Sequence, residues 1–342
     1  MDDLTPELNE WSRLYQTVIR IKEVAPWEWM SETDVFGVQN PETGEIGFVS
    51  VMGTLGEHYA VAVYLGAEGL YGFWDFQDAG PLGDFEDLLR VPQLQASFED
   101  RGELTKKDRD VIKALGLKFR GRQAWPLFRS FRPGYFPWYL EAQETRFLAV
   151  ALEQMLEVAS RFRGDLALLT PGDEESYLVR VSREEGGALV WEDQVVSVPP
   201  VEPASIPIPM DLDALEALKR VPRSRARLEM DFFMFPARIG ERGARPSCAY
   251  ELLIVEAANG IVLGTELLGP DPTLEAMYGL VPMTVVRLLA RLGIVPSEVK
   301  VRTALLYQLL EVLVEDLGFN LEHAPVLPAL DSAKEFLMQR FA

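Results

Sequence analysis

A proline-rich segment near the middle of the chain sets the main constraint on its fold. The segment "VPPVEPASIPIP", residues 198–209, holds five prolines in twelve residues. Because proline fixes its own φ angle, such a run favours an extended, semi-rigid connection. The chain has 342 residues, so the part on either side is long enough to bury its own core. We therefore predict two domains, residues 1–198 and 210–342, joined by a linker at residues 199–209.

The first part mixes helical and strand patterns. Apolar side chains recur at helical spacing in "LNEWSRLYQTVIRIKEV", which predicts an amphipathic helix over residues 8–24. Residues 35–66 alternate as three strands would, with a hairpin turn at "NPETGE". Small residues lie inside these strands, at Gly37, Gly47, Ala60 and Ala62. Since glycine weakens strand pairing, we expect a packed helix, rather than a ligand, to lie close over that face.

Further along the first part, the same patterns predict two helices and several strands. The helices are "TKKDRDVIKALG", with Thr105 as N-cap, and "EAQETRFLAVALEQMLEVASRF". The strands are "QLQASFED", "WPLFRSF", "LALLT", "SYLVRVS" and "ALVWEDQVVSV". The stretch "GAEGLYG" lacks the spacing of a phosphate-binding loop and is expected to begin a helix.

The second part has a clear order of three strands followed by alternating helices and strands. The predicted ranges are strands 226–239, 249–257 and 261–268, helix 273–292, strand 297–302, helix 303–317, strand 319–324 and helix 330–341. Pro282 is expected to bend or divide the first of these helices. The fold class is therefore α+β, with two domains that each carry a mixed or antiparallel sheet covered by helices, the second in the order βββαβαβα.

Charge is unevenly distributed along this acidic chain. The formal net charge is −20, and residues 1–100 hold nineteen acidic side chains against four basic ones. Residues 101–132 reverse the sign, with ten Lys or Arg against three acidic residues. So acidic a protein should repel nucleic-acid backbones at long range. The basic run either contacts nucleic acid locally or, as we favour, pairs with the acidic first hundred residues.

Several classes of site are disfavoured by composition. One cysteine, Cys248, excludes an internal disulfide, and two histidines, His58 and His323, leave no Cys/His cluster for zinc. No apolar run approaches the roughly 20 residues needed to cross a bilayer, and the N-terminus is acidic where a signal peptide is basic. We expect a cytoplasmic protein without membrane contact, metal site or cofactor.

Catalytic candidates are few. Cys248 and His323 are expected to be structural residues. Glu57 and His58 lie together in a glycine-flanked turn, where a carboxylate could raise the pKa of the imidazole. Adjacent residues on a strand point to opposite faces, so we interpret this pair as a turn and strand start.

A binding segment is predicted at "WPLFRSFRPGYFPWYL". Arginine and aromatic side chains contribute disproportionately to interfaces, and Pro133 and Pro137 would hold them in place. We predict that four of them line a surface groove for an acidic or extended partner: Arg129, Arg132, Tyr135 and Trp138. The alternative is a buried domain edge whose arginines are neutralised by the acidic first hundred residues.

Two resemblances follow from these stretches. "APWEWM", "FGVQNPETGEIGFVSVMGTLGEHYAVAVYLG" and "WPLFRSFRPGYFPWYL" resemble a bacterial family of domains of unknown function, over the whole chain. That resemblance implies no activity. The order of strands and helices over residues 226–341 resembles ribonuclease H-like domains, including integrase cores, in which clustered carboxylates hold two divalent metals. Asp231 matches the first acidic position, whereas Arg302 stands at the second, so the resemblance implies a degenerate, inactive member.

Together these features predict a non-catalytic cytoplasmic binding or interaction protein whose partner is an unidentified protein or small ligand. Two alternatives stay open. One is a metal-dependent nucleic-acid-processing enzyme that uses Asp231, and the other is a small-molecule hydrolase around His58. Composition leaves the ligand and the oligomeric state undetermined.

Overall fold

A computed structural model describes residues 4–80, 85–170, 172–173, 175–202 and 205–339. It is a mixed α/β structure with two sheets, and the chain divides into two compact units. The first unit comprises Met1–Pro133 and Pro137–Glu202; the second comprises Gly134–Phe136 and Pro203–Ala342. No helix in the described part of the chain is long and apolar enough to cross a membrane.

The first unit is built on a seven-stranded sheet in the order β5-β4-β3-β2-β1-β6-β7. Its strands are β1 Phe36–Gln39, β2 Ile46–Met52, β3 Tyr59–Leu65, β4 Gln93–Glu99, β5 Trp125–Phe131, β6 Ser176–Glu185 and β7 Ala188–Ser197. Neighbouring strands are antiparallel except for the parallel pair β1 and β6.

Helices cover both faces of this sheet. They are α1 Leu8–Val24, α2 Gly66–Ala79, α3 Phe85–Leu89, α4 Lys106–Ala114 and α5 Ala142–Phe162. Apolar residues of α1 and α5 share one core with the sheet, while Leu70 and Phe73 of α2 pack in a separate core with Phe48 and Tyr64. The predicted helices over residues 8–24 and 105–116 are confirmed, and "GAEGLYG" begins α2 as expected. Thr105 caps α4 by accepting a hydrogen bond from the Asp108 amide.

Of the four small residues predicted to lie under a packed helix, Gly47 lies under α5. A Cβ atom at Gly47 would lie 2.7 Å from Cζ of Phe147 on that helix, and 2.6 Å from Cγ1 of Val63. The other face holds Gly37, where a Cβ atom would meet Val179 at 2.8 Å and Ile46 at 2.9 Å, and Ala62, which packs in the core of α2, so the expectation of one shared face is wrong. The predicted strand at "LALLT" is wrong, since residues 166–169 form turns. The Asp165 side chain accepts the amide of Ala167, and this local turn overrides the apolar run.

The second unit holds a five-stranded sheet in the order β10-β9-β8-β11-β12. Its strands are β8 Arg227–Ile239, β9 Ser247–Glu256, β10 Val262–Leu268, β11 Glu298–Val301 and β12 Asn320–His323. The first three are adjacent and antiparallel, as predicted. The last two run parallel to β8, so the sheet is mixed.

The helices of the second unit also lie on both sheet faces. They are α6 Leu212–Lys219, α7 Leu274–Leu292, α8 Ala304–Glu311, α9 Val314–Leu317 and α10 Pro328–Met338. One core contains α6, α7, α8 and α9, and a smaller one lies between the sheet and α10. Ile206 and Ile208 of the proline-rich segment, and Met210 just after it, pack on the larger core.

The predictions for these helices differ from the structure at three points. Of the two outcomes expected at Pro282, division is wrong, because α7 runs through it with buried side chains such as Val281 and Val285 against the core. The single helix predicted over 303–317 is two, α8 and α9. The helix α6, capped by the Asp211 side chain, was not predicted. Residues 340–341 of the predicted last helix lie outside the described residues.

Candidate functional site

The four residues of the predicted binding segment lie in different surroundings. Arg129 on β5 makes two hydrogen bonds to Asp108, and Arg132 contacts both Glu141 and Glu144. Tyr135 belongs to the second unit, where it bridges to Ser247, whereas Trp138 is half-buried in the first unit and pairs with the backbone of Ser130. The structure therefore does not bring the four side chains together within one unit.

The expected carboxylate partners of these arginines are corrected as well. Neither Arg129 nor Arg132 pairs with a carboxylate in the described part of residues 1–100. Their partners instead lie at helix N-termini: Asp108 is the third residue of α4, and Glu141 and Glu144 form the capping box of α5. Carboxylates are favoured at helix N-termini, where they accept backbone amides, so these positions already hold ordered negative charge close in sequence to the arginines.

A groove of about 730 Å³ lies between α1 and α4. Four aromatic side chains line it: Trp11, Tyr15, Phe128 and Tyr139. The Tyr139 hydroxyl donates to Oγ1 of Thr105 at 2.9 Å, which fixes its ring beside the start of α4. Lys106 and Lys107 supply positive charge at the same place, and Nζ of Lys107 lies 4.2 Å from the centre of the Tyr139 ring.

Asp108 is the charged group held most firmly in this groove. Its Oδ1 and Oδ2 accept hydrogen bonds from Nη1 and Nη2 of Arg129 at 2.9 and 2.8 Å, and both side chains are largely buried. Burial by itself would raise the pKa of Asp108, but the hydrogen bonds and charge of Arg129, with those from Thr105, outweigh it and lower the pKa. Asp108 is therefore ionised and already satisfied, and it holds Arg129 in place.

This pair should make the stability of the protein depend on acidic pH. The pKa of Asp108 is lower in the folded protein than the roughly 3.9 of an unfolded chain, so its stabilisation is complete above that value. The stabilisation is lost as pH falls through the folded pKa. We expect Asp108→Asn to cost about 1–3 kcal/mol at pH 7 and to flatten the decline in unfolding free energy below about pH 4. Urea unfolding at a series of pH values measures both effects.

The matched control is Asp110→Asn on the same helix. Asp110 is exposed and pairs with the exposed Lys106, so its replacement should change stability by less than about 1 kcal/mol. If Asp108→Asn and the native protein lose stability in parallel on acidification, the assignment of this pair is wrong.

Tyr15 provides the polar group at the floor of the groove. The residue is 2% exposed and lines the groove, while its ring packs edge-on against Phe128 with centroids 5.0 Å apart. Burial raises the pKa of its hydroxyl, and the charge of Asp108 raises it further, so the hydroxyl stays protonated at neutral pH. Within the described residues this hydroxyl makes no hydrogen bond.

Glu57 and His58 do not form a joint site. His58 is exposed, and its Nδ1 lies 3.8 Å from Oε1 of Glu99. The backbone carbonyl of Glu57 accepts a hydrogen bond from the Gln123 side chain. The turn is closely packed at Gly53, where a Cβ atom would meet Tyr59 at 2.7 Å. The structure places His58 in the turn just before β3.

The second candidate centre is an ion-pair cluster around Asp231, which is 1% exposed on β8. Nε of Arg302 donates to Oδ2 of Asp231 at 2.9 Å, and its Nη2 donates to Asp331 on α10. The carbonyl of Pro325 accepts from Nη1 of Arg302 at 2.8 Å, and Nζ of Lys334 lies 3.8 Å from Asp231. Two cations thus enclose the two carboxylates. Across the described residues, no group of three or more His, Cys, Asp or Glu is placed to hold a metal.

Comparison with known proteins connects both parts of the chain to families without an assigned function. Residues 11–180 match the family model described as Domain of unknown function (DUF7309). Residues 214–338 match the one described as Domain of unknown function (DUF6930). The predicted match to domains of unknown function is thereby confirmed, with two families in place of one. No curated protein and no solved structure matches the chain.

Sequence reasoning missed the residues that line the groove. Trp11 and Tyr15 stand four residues apart on one helix face, and this spacing predicts core packing as readily as a pocket wall. Lys107 and Tyr139 are 32 residues apart, so no local pattern connects them. The one available signal was the unusual aromatic content of helix 8–24 at its N-terminal half.

Proposed function

We propose that this protein is a non-catalytic binding protein of the bacterial cytoplasm, and that its second unit is a ribonuclease H-like module without the usual activity. The fold proposal is supported by the sheet of the second unit. It has three antiparallel strands, two parallel strands on the other side of β8, and helices on both faces. A fold alone carries no activity, so the argument for function rests on the side chains at Asp231.

The position of Arg302 is the observation that carries this proposal. In ribonuclease H-like enzymes, clustered carboxylates hold divalent metals for phosphodiester chemistry. Here the guanidinium of Arg302 lies between Asp231 and Asp331, and Lys334 adds a second positive charge. A divalent cation would have to displace a hydrogen-bonded arginine and would be repelled by it. This arrangement favours a structural or binding role over hydrolysis.

Metal binding and cleavage assays test the proposal directly. We expect no stoichiometric Mg²⁺ or Mn²⁺ binding by titration calorimetry, and no metal-dependent cleavage of single-stranded DNA, duplex DNA, RNA or an RNA–DNA hybrid. The alternative function, a metal-dependent nucleic-acid-processing enzyme, is favoured by the two carboxylates that face the same guanidinium. Cleavage that requires Mn²⁺ and disappears in Asp231→Asn would establish that alternative and overturn the proposal.

The partner of the proposed binding protein is a protein or a small ligand, with nucleic acid disfavoured by the charge of −20. A partner surface formed by Arg129, Arg132, Tyr135 and Trp138 stays a prediction. An acidic partner is disfavoured at this surface, because both guanidinium groups already form ion pairs within the protein. Arg129 pairs with Asp108, and Arg132 pairs with Glu141 and Glu144. The groove between α1 and α4 supports binding better, because it combines apolar walls with the Tyr15 hydroxyl, which makes no hydrogen bond within the described residues.

A further inference from the structure

We infer that the groove between α1 and α4 binds a small amphipathic anion with an aromatic body; this inference deepens the proposed binding function and rests on it. The volume of about 730 Å³ falls within the roughly 300–1,000 Å³ typical of small-molecule sites. Apolar and aromatic side chains from α1, α4, β5 and the segment before α5 form most of its lining.

The aromatic walls favour a planar ligand body. Trp11 and Phe128 are in contact, with ring centroids 5.9 Å apart, and Tyr139 supplies a ring held by Thr105. Such rings bury much area while few rotamers become fixed on binding. At the same groove Leu8 is 52% exposed, so its apolar surface is available to a ligand.

The Tyr15 hydroxyl indicates a polar contact at the floor of the groove. The Tyr15 side chain lines the groove, and its hydroxyl is not one of the fully enclosed polar atoms, so it is accessible to a ligand. Asp108 is engaged by Arg129 and Thr105, so within the described residues the Tyr15 hydroxyl has no protein hydrogen-bond partner. A ligand with a hydrogen-bonding group would supply the missing partner.

The charges around the groove select an anion. Among the described residues, the charged side chains that line the groove are Lys106, Lys107, Asp108 and Asp110, and Arg129 lies beside Asp108. Arg129 is bound to Asp108 and Lys106 to Asp110, so Lys107 is left with the ring of Tyr139 as its contact. One positive charge therefore remains at this site in a protein whose net charge is −20. An anionic group near Lys107 would be attracted here and repelled by most of the remaining surface.

The experiment compares two fluorescent probes with the same ring system, using the full-length protein. 8-Anilinonaphthalene-1-sulfonate carries a negative charge, and N-phenyl-1-naphthylamine lacks it. We expect saturable binding of one sulfonate probe per chain, tighter than that of the neutral probe. Lys107→Gln should lower the affinity for the sulfonate probe roughly 3- to 5-fold and leave the affinity for the neutral probe unchanged. Lys118→Gln, an exposed residue of the same basic run outside the groove, is the matched control and should change neither.

Tyr15→Phe separates binding from folding. Both probes carry an N–H that can donate to the Tyr15 hydroxyl. This variant should therefore lower the affinity for both probes by about 2- to 10-fold. Because the lost hydroxyl has no partner in the described protein, the thermal midpoint should not fall. A drop in that midpoint with unchanged probe affinity would mean that Tyr15 is only a core residue, and would overturn the inference.

Two other results would also overturn the inference. One is absence of saturable binding of either probe, and the other is equal loss of affinity in Lys107→Gln and Lys118→Gln. Displacement of the probe by an acidic peptide, but not by small aromatic carboxylates, would assign the groove to a protein partner and reject the small-molecule occupant. Metal-dependent cleavage alongside intact probe binding would reject the proposed function alone, so failure of one proposal is distinguishable from failure of the other.

Discussion

Replacing Arg302 by methionine should destabilise the second unit by about 3 kcal/mol, the lower end of the range for breaking a buried ion pair. The substitution leaves Asp231, which is 1% exposed, without the guanidinium that now lies 2.9 Å away. Nζ of Lys334 remains 3.8 Å from Asp231 and still compensates part of its negative charge, so we expect a loss at the lower end of that range. Urea unfolding of the full-length protein measures the loss as a lower midpoint for the second unit.

Two variants control this result. Arg287→Met removes an ion pair with Asp211 of similar length, 2.7 Å, but at an exposed site, so it should cost less than about 1 kcal/mol. The double variant Arg302→Met, Asp231→Leu removes the buried charge itself and should recover much of the stability lost in the single variant. If the double variant is no more stable than Arg302→Met alone, the loss does not come from an uncompensated Asp231.

The Asp231 cluster shows which parts of a site follow from sequence. The resemblance to ribonuclease H-like domains placed Asp231 and Arg302 at the first and second acidic positions, and β8 and β11 pair in parallel just before these residues. Asp331 and Lys334 could not be placed in the same way. Their position depends on which face of α10 packs on the sheet, and the exposed Phe336 makes that helix apolar on more than one side.

The groove in the first unit was less accessible to sequence reasoning than the strands around it. Strand alternation depends on neighbours two residues apart, so it could be recognised for β2 and β3 without knowing the rest of the fold. The groove depends on contacts between distant segments, such as the hydrogen bond from Tyr139 to Thr105. Capping by Thr105 could be predicted because it depends on neighbouring residues. The position of Tyr15 at the groove depends on Phe128 and Asp108, which are distant in sequence.

Gly47→Ala should destabilise the first unit by about 1–3 kcal/mol, the usual cost of overpacking a core. Replacing glycine by alanine inside a strand would ordinarily stabilise by roughly 0.5–1 kcal/mol, because glycine loses more backbone freedom on folding. At this buried position the new Cβ would lie 2.6 Å from Cγ1 of Val63 and 2.7 Å from Cζ of Phe147, closer than carbon atoms approach. Steric overlap therefore makes this Gly→Ala replacement destabilising, where it would ordinarily be stabilising. The free energy of unfolding from urea titration measures the change.

Gly102→Ala is the matched control for this sign reversal, since a Cβ atom at Gly102 meets nothing within 4 Å. That variant should be neutral or slightly stabilising. Phe147→Leu removes the ring atoms that crowd Gly47, so Gly47→Ala should cost less in the Phe147→Leu background than in the native protein, a coupling expected between residues in contact. The contact with Val63 stays, so some cost should remain. Equal costs in both backgrounds would show that α5 is not what requires glycine at position 47.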